Sequence, residues 1–189
     1  MVIVTSHFSE KVSGEILIPG DKSISHRSLM IGASAVGETK IKGLLESDDV
    51  IATVQALRCL GVGIEKDEKN GVWIISGRGV GGLSQSNSIL DLRNSGTAAR
   101  LLMGMVASHP FSTIFSGDTS LCSRPMERVL NPLKRMGAQF SELNIGYLPI
   151  TVFGTDLLKP ITEVLKIPSA QVKSAILLAG LNTIGKTTI

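Results

Sequence analysis

The sequence predicts an α/β fold assembled from a repeated β-α-β-α-β-β unit, and three observations carry that prediction. Three stretches, Lys22 to Lys42, Asn94 to Ser116 and Ser169 to Ile189, share one layout. Each has a short apolar strand, a polar turn with Ser or Asn, a helix rich in small apolar residues, a Gly or Pro break, and a strand. Asn94 stands 72 residues after Lys22, and Ser169 stands 75 after Asn94, a period longer than that of solenoid repeats. A second helix and a strand pair lie between the first two stretches, and the same order follows the second. The chain therefore reads as two units and part of a third.

The elements follow in order. Val12 to Ile18 reads as a strand, and Ser23 to Val36 as a helix ended by Gly37. Thr39 to Leu44 is a strand. Ser47-Asp48-Asp49 is an N-cap cluster for a helix from Val50 to Leu60, stopped at Gly61. Ile64 to Lys66 and Val72 to Ile75 pair across the turn residues 67–71. After a Gly- and Ser-rich loop, Ile89 to Leu92 is a strand, Ala98 to Ser108 a helix and Phe111 to Ser116 a strand. Gly117 to Ser123 reads as a loop, and Pro125 opens a helix that runs to Met136. A strand pair lies between Ala138 and Phe153, and a strand near Glu163 to Ile167. A helix from Val172 to Leu181 and a strand from Gly185 close the chain.

Composition bounds the function. With 189 residues and 43% hydrophobic content, the chain is long enough for one domain or one and a half with a sizeable core. Aromatics are only 4%, so Leu, Ile, Val, Ala and Met must build that core. A net charge of +3 is too mild for a nucleic-acid surface, and no basic run appears, whereas a few cations focused on a small anion fit it. Cys59 and Cys122 show no metal-ligand spacing, which points to a reduced, cytoplasmic chain. Met1 to Phe8 lacks the features of a signal peptide, and no apolar run approaches the roughly 18–20 residues that span a membrane.

The first polar turn, Ile18-Pro19-Gly20-Asp21-Lys22-Ser23-Ile24-Ser25-His26-Arg27, is the most informative stretch. It hands a strand over to a helix, where free N–H groups and the positive end of the helix dipole favour an anion. Lys22 adds a point charge, Ser23 a hydroxyl, and Arg27 a planar fork suited to phosphate or carboxylate. A capped helix start with solvated cations is the plainer reading of that stretch alone. The other two turns repeat the theme with Asn94, Gly96 and Thr97, and with Ser169 and Gln171.

Pro19 to Arg27, Asn94 to Arg100, Gly117 to Met126 (GDTSLCSRPM) and Ser169 to Lys173 (SAQVK) together resemble the 3-phosphoshikimate 1-carboxyvinyltransferase family, also called 5-enolpyruvylshikimate-3-phosphate synthase. Gly20 to Ser23 and Ser169 to Lys173 resemble its subclass often tolerant of glyphosate. Gly96 stands where that subclass commonly has Ala, and Gly leaves room for the inhibitor. The resemblance implies the enolpyruvyl-transferase fold, an inside-out α/β barrel, in a longer two-domain protein that closes over its substrates. Residues 1–20 would be a crossing segment belonging to the other domain, and 21–189 most of the first-visited domain, truncated in its third unit. The resemblance further implies transfer of the enolpyruvyl group of phosphoenolpyruvate to the 5-hydroxyl of shikimate 3-phosphate. It implies no metal or organic cofactor, a monomer when full length, and proton-transferring carboxylates in the half that this chain does not hold. The 189 residues alone are accordingly expected not to turn over.

By the same resemblance Lys22 touches both substrates and is the candidate catalytic group. Ser23, Arg27, Ser169, Ala170 and Gln171 hold shikimate 3-phosphate, and Asn94, Gly96, Arg124 and Gln171 meet phosphoenolpyruvate. Physics agrees in kind: each substrate carries a phosphate and a carboxylate, so the site needs several cations. Other residues read as structural: Arg100 and Lys173 as ion-pair formers, Asp21 and Asp118 as turn and cap residues, His26 as lying on the wrong face of its helix. The sister family that uses a UDP-sugar acceptor has Asn after the Lys and a loop Cys five residues before the Arg. Here Ser23 and Thr119 occupy those places, which favours shikimate 3-phosphate. Gly180 to Thr187 matches the P-loop pattern of a nucleotide-binding module, but a helix is expected before it and a strand after it, the reverse of what phosphate binding needs.

Overall fold

Asp21 starts the first helix. In the computed structural model, which describes residues 3–189, its carboxylate accepts the Ile24 N–H at 2.7 Å, and α1 runs over Lys22–Ser34. The remaining elements are β1 (Val36–Lys42), α2 (Asp48–Cys59), β2 (Gly63–Asp67), β3 (Val72–Arg78), β4 (Leu90–Asp91), α3 (Gly96–Ala107), β5 (Ser112–Ser116), α4 (Thr119–Cys122), α5 (Glu127–Met136), β6 (Gln139–Asn144), β7 (Tyr147–Phe153) and α6 (Ala170–Gly180). Asp48 and Asp49 occupy the first turn of α2, where the helix dipole favours negative charge. Gly137, at φ 116°, ends α5 in the left-handed conformation that a side chain would resist.

The strands make two sheets of matching plan. One has the order β1-β3-β2, antiparallel throughout, with Thr39 opposite Ile75 and Ile64 opposite Ile75. The other has the order β4-β5-β7-β6, with β4 parallel to β5 and the rest antiparallel. The first sheet is thus the second without its parallel edge strand, which is the repeat seen as geometry. α3 packs along α6 and also touches α1, α2 and α5. Beyond Thr97 and Arg100 in its first turns it is apolar all round and buried over most of its length, as a central helix must be. The core is one cluster in which Leu29, Leu57, Leu102, Phe115, Ile150 and Ile176 are fully enclosed. Each such side chain contributes roughly 1.5–3 kcal/mol by leaving water.

Five expectations need correction. Val12 to Ile18 forms no strand, and Val12, Ile16, Leu17 and Ile18 stay exposed. A strand exists only as part of a ladder, and nothing among the described residues pairs with this segment. The fold takes hold at Gly20, where a Cβ would come within 2.0 Å of the Gly43 carbonyl oxygen. Glu163 to Ile167 and Gly185 to Ile189 are not strands either. They meet through the single parallel bridge Thr162–Thr188, with Glu163 N–H donating to Thr188 O at 2.9 Å. The stretch 117–123 holds α4, because the Asp118 carboxylate accepts the Leu121 N–H at 2.7 Å. Finally, α5 begins at Glu127 rather than Pro125, since the Met126 N–H is drawn to Gly146 O of the β6–β7 hairpin at 2.8 Å.

Candidate active site

The three repeated turns deliver the N-termini of α1, α3 and α6, each capped by a side chain: Asp21, Ser95 and Ser169. Ser169 Oγ accepts the Val172 N–H at 3.4 Å, so α6 opens at Ala170, two residues earlier than the periodicity indicates. These ends are bonded to one another across long stretches of sequence. Arg27 on α1 donates from Nη2 to Ser174 Oγ on α6 at 2.8 Å, and from Nη1 to Ser23 O at 3.1 Å. Gln171, on the first turn of α6, donates from Nε2 to Thr97 Oγ1 at 3.0 Å and accepts from Arg100 Nη1 at 3.0 Å, both on α3.

Arg100 also donates to Gly96 O at 3.1 Å and to Pro125 O at 3.0 Å. Among the described residues the expected ion pair is absent: all of these partners are neutral. Burial first, then the neighbouring charges of Arg124 and Arg128, pull the guanidinium below its ordinary value. Arg124 reaches back over the second turn, donating from Nη2 to Asn94 Oδ1 at 2.5 Å and Ser120 Oγ at 3.1 Å, and from Nη1 to Asn94 O at 3.3 Å. Gly96 leaves the space these cations use, for a Cβ there would lie 2.7 Å from Arg100 Nη1 and 3.4 Å from Arg124 Nη1.

Gln171, Arg100, Gly96, Asn94 and Arg124 therefore belong to one connected set, and Arg27 is tied to the same helix α6 through Ser174. Lys22 does not join it by hydrogen bonds. It is half exposed and pairs with the Asp49 carboxylate of α2. Ser23 and Ala170 lie exposed beside the set, and Lys173 is exposed on α6. Arg27 and Ser174 border a mainly apolar hollow of about 380 Å³ between α1 and α6, while Ser169, Ala170 and Lys173 border a separate one of about 440 Å³. The sequence reading missed Asp49, Ser120 and Ser174. Only the two acids at the α2 cap gave a signal, and that signal indicates a helix start as readily as a counter-ion.

His26 faces inward, fully buried, with Nδ1 2.7 Å from Thr53 Oγ1 and Nε2 without a partner. Burial and then the charge of Lys22 lower its pKa to about 4. The native state thus holds the imidazole neutral, whereas the unfolded chain takes up a proton below about pH 6.5. Its stabilising effect is full above that pH and is lost as pH falls toward 4. Buried His109 is shifted in the same direction by its burial. Urea unfolding midpoints are expected to drop between pH 7 and pH 4.5, by a loss of the order of 3 kcal/mol from His26. His26→Gln should flatten part of that slope, and an identical slope in both proteins would contradict it.

Gly180 to Thr187 has the reverse of P-loop order: α6 ends at Gly180, and only the bridge at Thr188 follows. Among the described residues no helix is long and apolar enough to cross a membrane.

Three side-chain-capped helix entries on a duplicated α/β scaffold define a class, an α/β repeat domain with polar turns at its helix N-termini. Comparison makes the class specific. The family model for EPSP synthase (3-phosphoshikimate 1-carboxyvinyltransferase) matches residues 7–189. The 3-phosphoshikimate 1-carboxyvinyltransferase of Paramagnetospirillum magneticum is 55% identical over 186 residues, which cover 98% of this chain and 42% of that protein. The enzyme of the same name from Rhodospirillum rubrum is 52% identical over 97% of this chain and 42% of its own length. The 2.37 Å structure of EPSP synthase from Acinetobacter baumannii superposes with a TM-score of 0.87 at 48% identity, covering 92% of this chain and 39% of that one. The chain belongs to the EPSP synthase family, and it spans about two fifths of the length of these relatives.

Proposed function

We propose that this chain is the substrate-phosphate half of an enzyme that transfers the enolpyruvyl group of phosphoenolpyruvate to the 5-hydroxyl of shikimate 3-phosphate. The observation that carries the reading is the hydrogen-bonded set of Gln171, Arg100, Gly96, Asn94 and Arg124, with Arg27 tied to the same helix α6 through Ser174. Polar groups from three distant turns meet there, the cations Arg27, Arg100 and Arg124 among them, in a chain whose relatives bear that enzyme's name. Arg27, Ser23, Ser169, the Ala170 backbone and Gln171 hold the shikimate phosphate. Arg124, Asn94, Gln171 and the open space at Gly96 receive phosphoenolpyruvate, and Lys22 lies between the two.

In the reaction the 5-hydroxyl oxygen bonds to C2 of phosphoenolpyruvate, the hydroxyl proton leaves, and the methylene carbon gains a proton. Loss of that methyl proton and cleavage of the C2–O bond to phosphate then restore the double bond and release inorganic phosphate. Lys22 offsets negative charge that grows in the adduct. The acid and base groups lie in the other domain, to which residues 1–20 cross. The exposed Ile3, Val4 and Phe8 suit such a segment, whose first two residues lie outside the described ones. The 189 residues bind phosphate without turnover. The full-length protein works in the cytoplasm as a monomer, with no cofactor and no nucleic-acid or membrane partner.

The test uses full-length protein and measures phosphate released from phosphoenolpyruvate. Shikimate 3-phosphate is expected to support release, and a UDP-sugar to support none. Release that depends on the UDP-sugar would overturn the reading.

A further inference from the structure

We propose that Asp118 is a positioning residue that turns the Asn94 amide so that its oxygen, and not its NH2, faces Arg124. The assignment of Arg124 to phosphoenolpyruvate rests on the function proposed above; the geometry of Asp118 does not. The Asp118 carboxylate divides its work between its two oxygens. Oδ1 accepts the Leu121 N–H at 2.7 Å and caps α4, while Oδ2 accepts from Asn94 Nδ2 at 2.7 Å. Its own N–H donates to Arg93 O at 2.8 Å, and Arg93 holds a left-handed φ of 50°, so the loop is pinned to the turn that carries Asn94.

The logic is one of donors and acceptors. An asparagine amide has one accepting end and one donating end, whereas an ionised carboxylate only accepts. Asp118 can therefore meet only the NH2 end of Asn94. The carbonyl end is left pointing at Arg124, whose Nη2 donates to it at 2.5 Å. A flipped amide would set NH2 against guanidinium, donor against donor. Asp118 is ionised at neutral pH, because the Asn94 bond and then the Leu121 N–H hold its carboxyl below the usual carboxylate range. Arg124 is thus fixed by a two-step brace in which the acid never approaches the guanidinium closely enough to neutralise it. A carboxylate placed directly on Arg124 would compete with an incoming anion, and an amide between them does not.

The sequence reading of Asp118 as a cap is correct but incomplete, and D118N separates the two roles. Asparagine caps helices as well as aspartate does, so α4 keeps its start. Its second arm, however, is an NH2 group facing the NH2 of Asn94. In full-length protein D118N is expected to raise KM for phosphoenolpyruvate at least about tenfold. KM for shikimate 3-phosphate and kcat should change less than about threefold, and the melting temperature by less than about 3 °C. D118A removes the cap as well and should lower the melting temperature further. An unchanged KM for phosphoenolpyruvate in D118N overturns the proposal. So does a D118N protein that loses affinity for both substrates in step with its melting temperature, since that is the signature of a cap alone. Hydrogen exchange of the Asn94 side-chain amide, followed by NMR, gives a readout independent of activity. Slow exchange in the wild type and fast exchange in D118N are expected, and equal rates overturn the proposal. A wild-type enzyme that does not consume phosphoenolpyruvate would instead overturn the functional reading and leave this exchange result standing.

Discussion

Alanine in place of Lys22 in the full-length protein is expected to lower kcat by about two to three orders of magnitude, the usual consequence of deleting one preorganised donor from a site where charge develops. Stability should hardly move. Lys22 sits on the first turn of α1, where the helix dipole disfavours a cation. Its pair with Asp49 is half exposed and so worth at most about 1 kcal/mol. A residue that gains so little for the fold, in a place the backbone resists, fits the role proposed above for its charge. Steady-state kinetics beside thermal unfolding make the check. An unchanged rate removes Lys22 from the chemistry, and a large drop in melting temperature makes its role structural.

Valine at position 104 is expected to destabilise this chain by about 3 kcal/mol or more, beyond most overpacking substitutions. Gly104 lies in mid-helix on α3, where a Cβ would come within 2.2 Å of the Ala175 carbonyl oxygen on α6. The obstacle is backbone, which cannot rotate aside as a side chain can. The two helices must separate, and with them go both bonds that Gln171 makes to α3. Urea unfolding should therefore show a lower midpoint, and an unaltered midpoint would refute the close crossing. The same variant in full-length protein should lose affinity for both substrates together, in contrast to D118N.

What could be read from the sequence was local. Helix starts are written in short-range chemistry, as at Asp21 and Ser169, and ends in glycines such as Gly137. Apart from the four-residue α4, helix existence and order were therefore legible, and so was the repeat. Strands at the margins were not, because pairing decides them. Val12 to Ile18 has the composition of a strand and no neighbour, while β4 is cut to two residues where Arg93 turns the chain left-handed. At the site, the family motifs marked Lys22, Arg27, Arg124 and Gln171. The residues that hold them, Asp49, Ser174 and Arg100, lie 27, 147 and 71 residues from the groups they meet. No local signal joins such pairs, and Arg100 drew the expectation of an acidic partner that the fold does not supply.

The neutral surroundings of Arg100 carry one more consequence. Its charge stands near those of Arg124 and Arg128 with no carboxylate among its partners. On the function proposed above, a bound dianion would be the counterweight to these like charges. Occupancy would then act as a folding aid, adding about 2.7 kcal/mol at a hundredfold excess over the dissociation constant. On that reading the protein's lifetime in a cell would rise and fall with the supply of its anionic ligands.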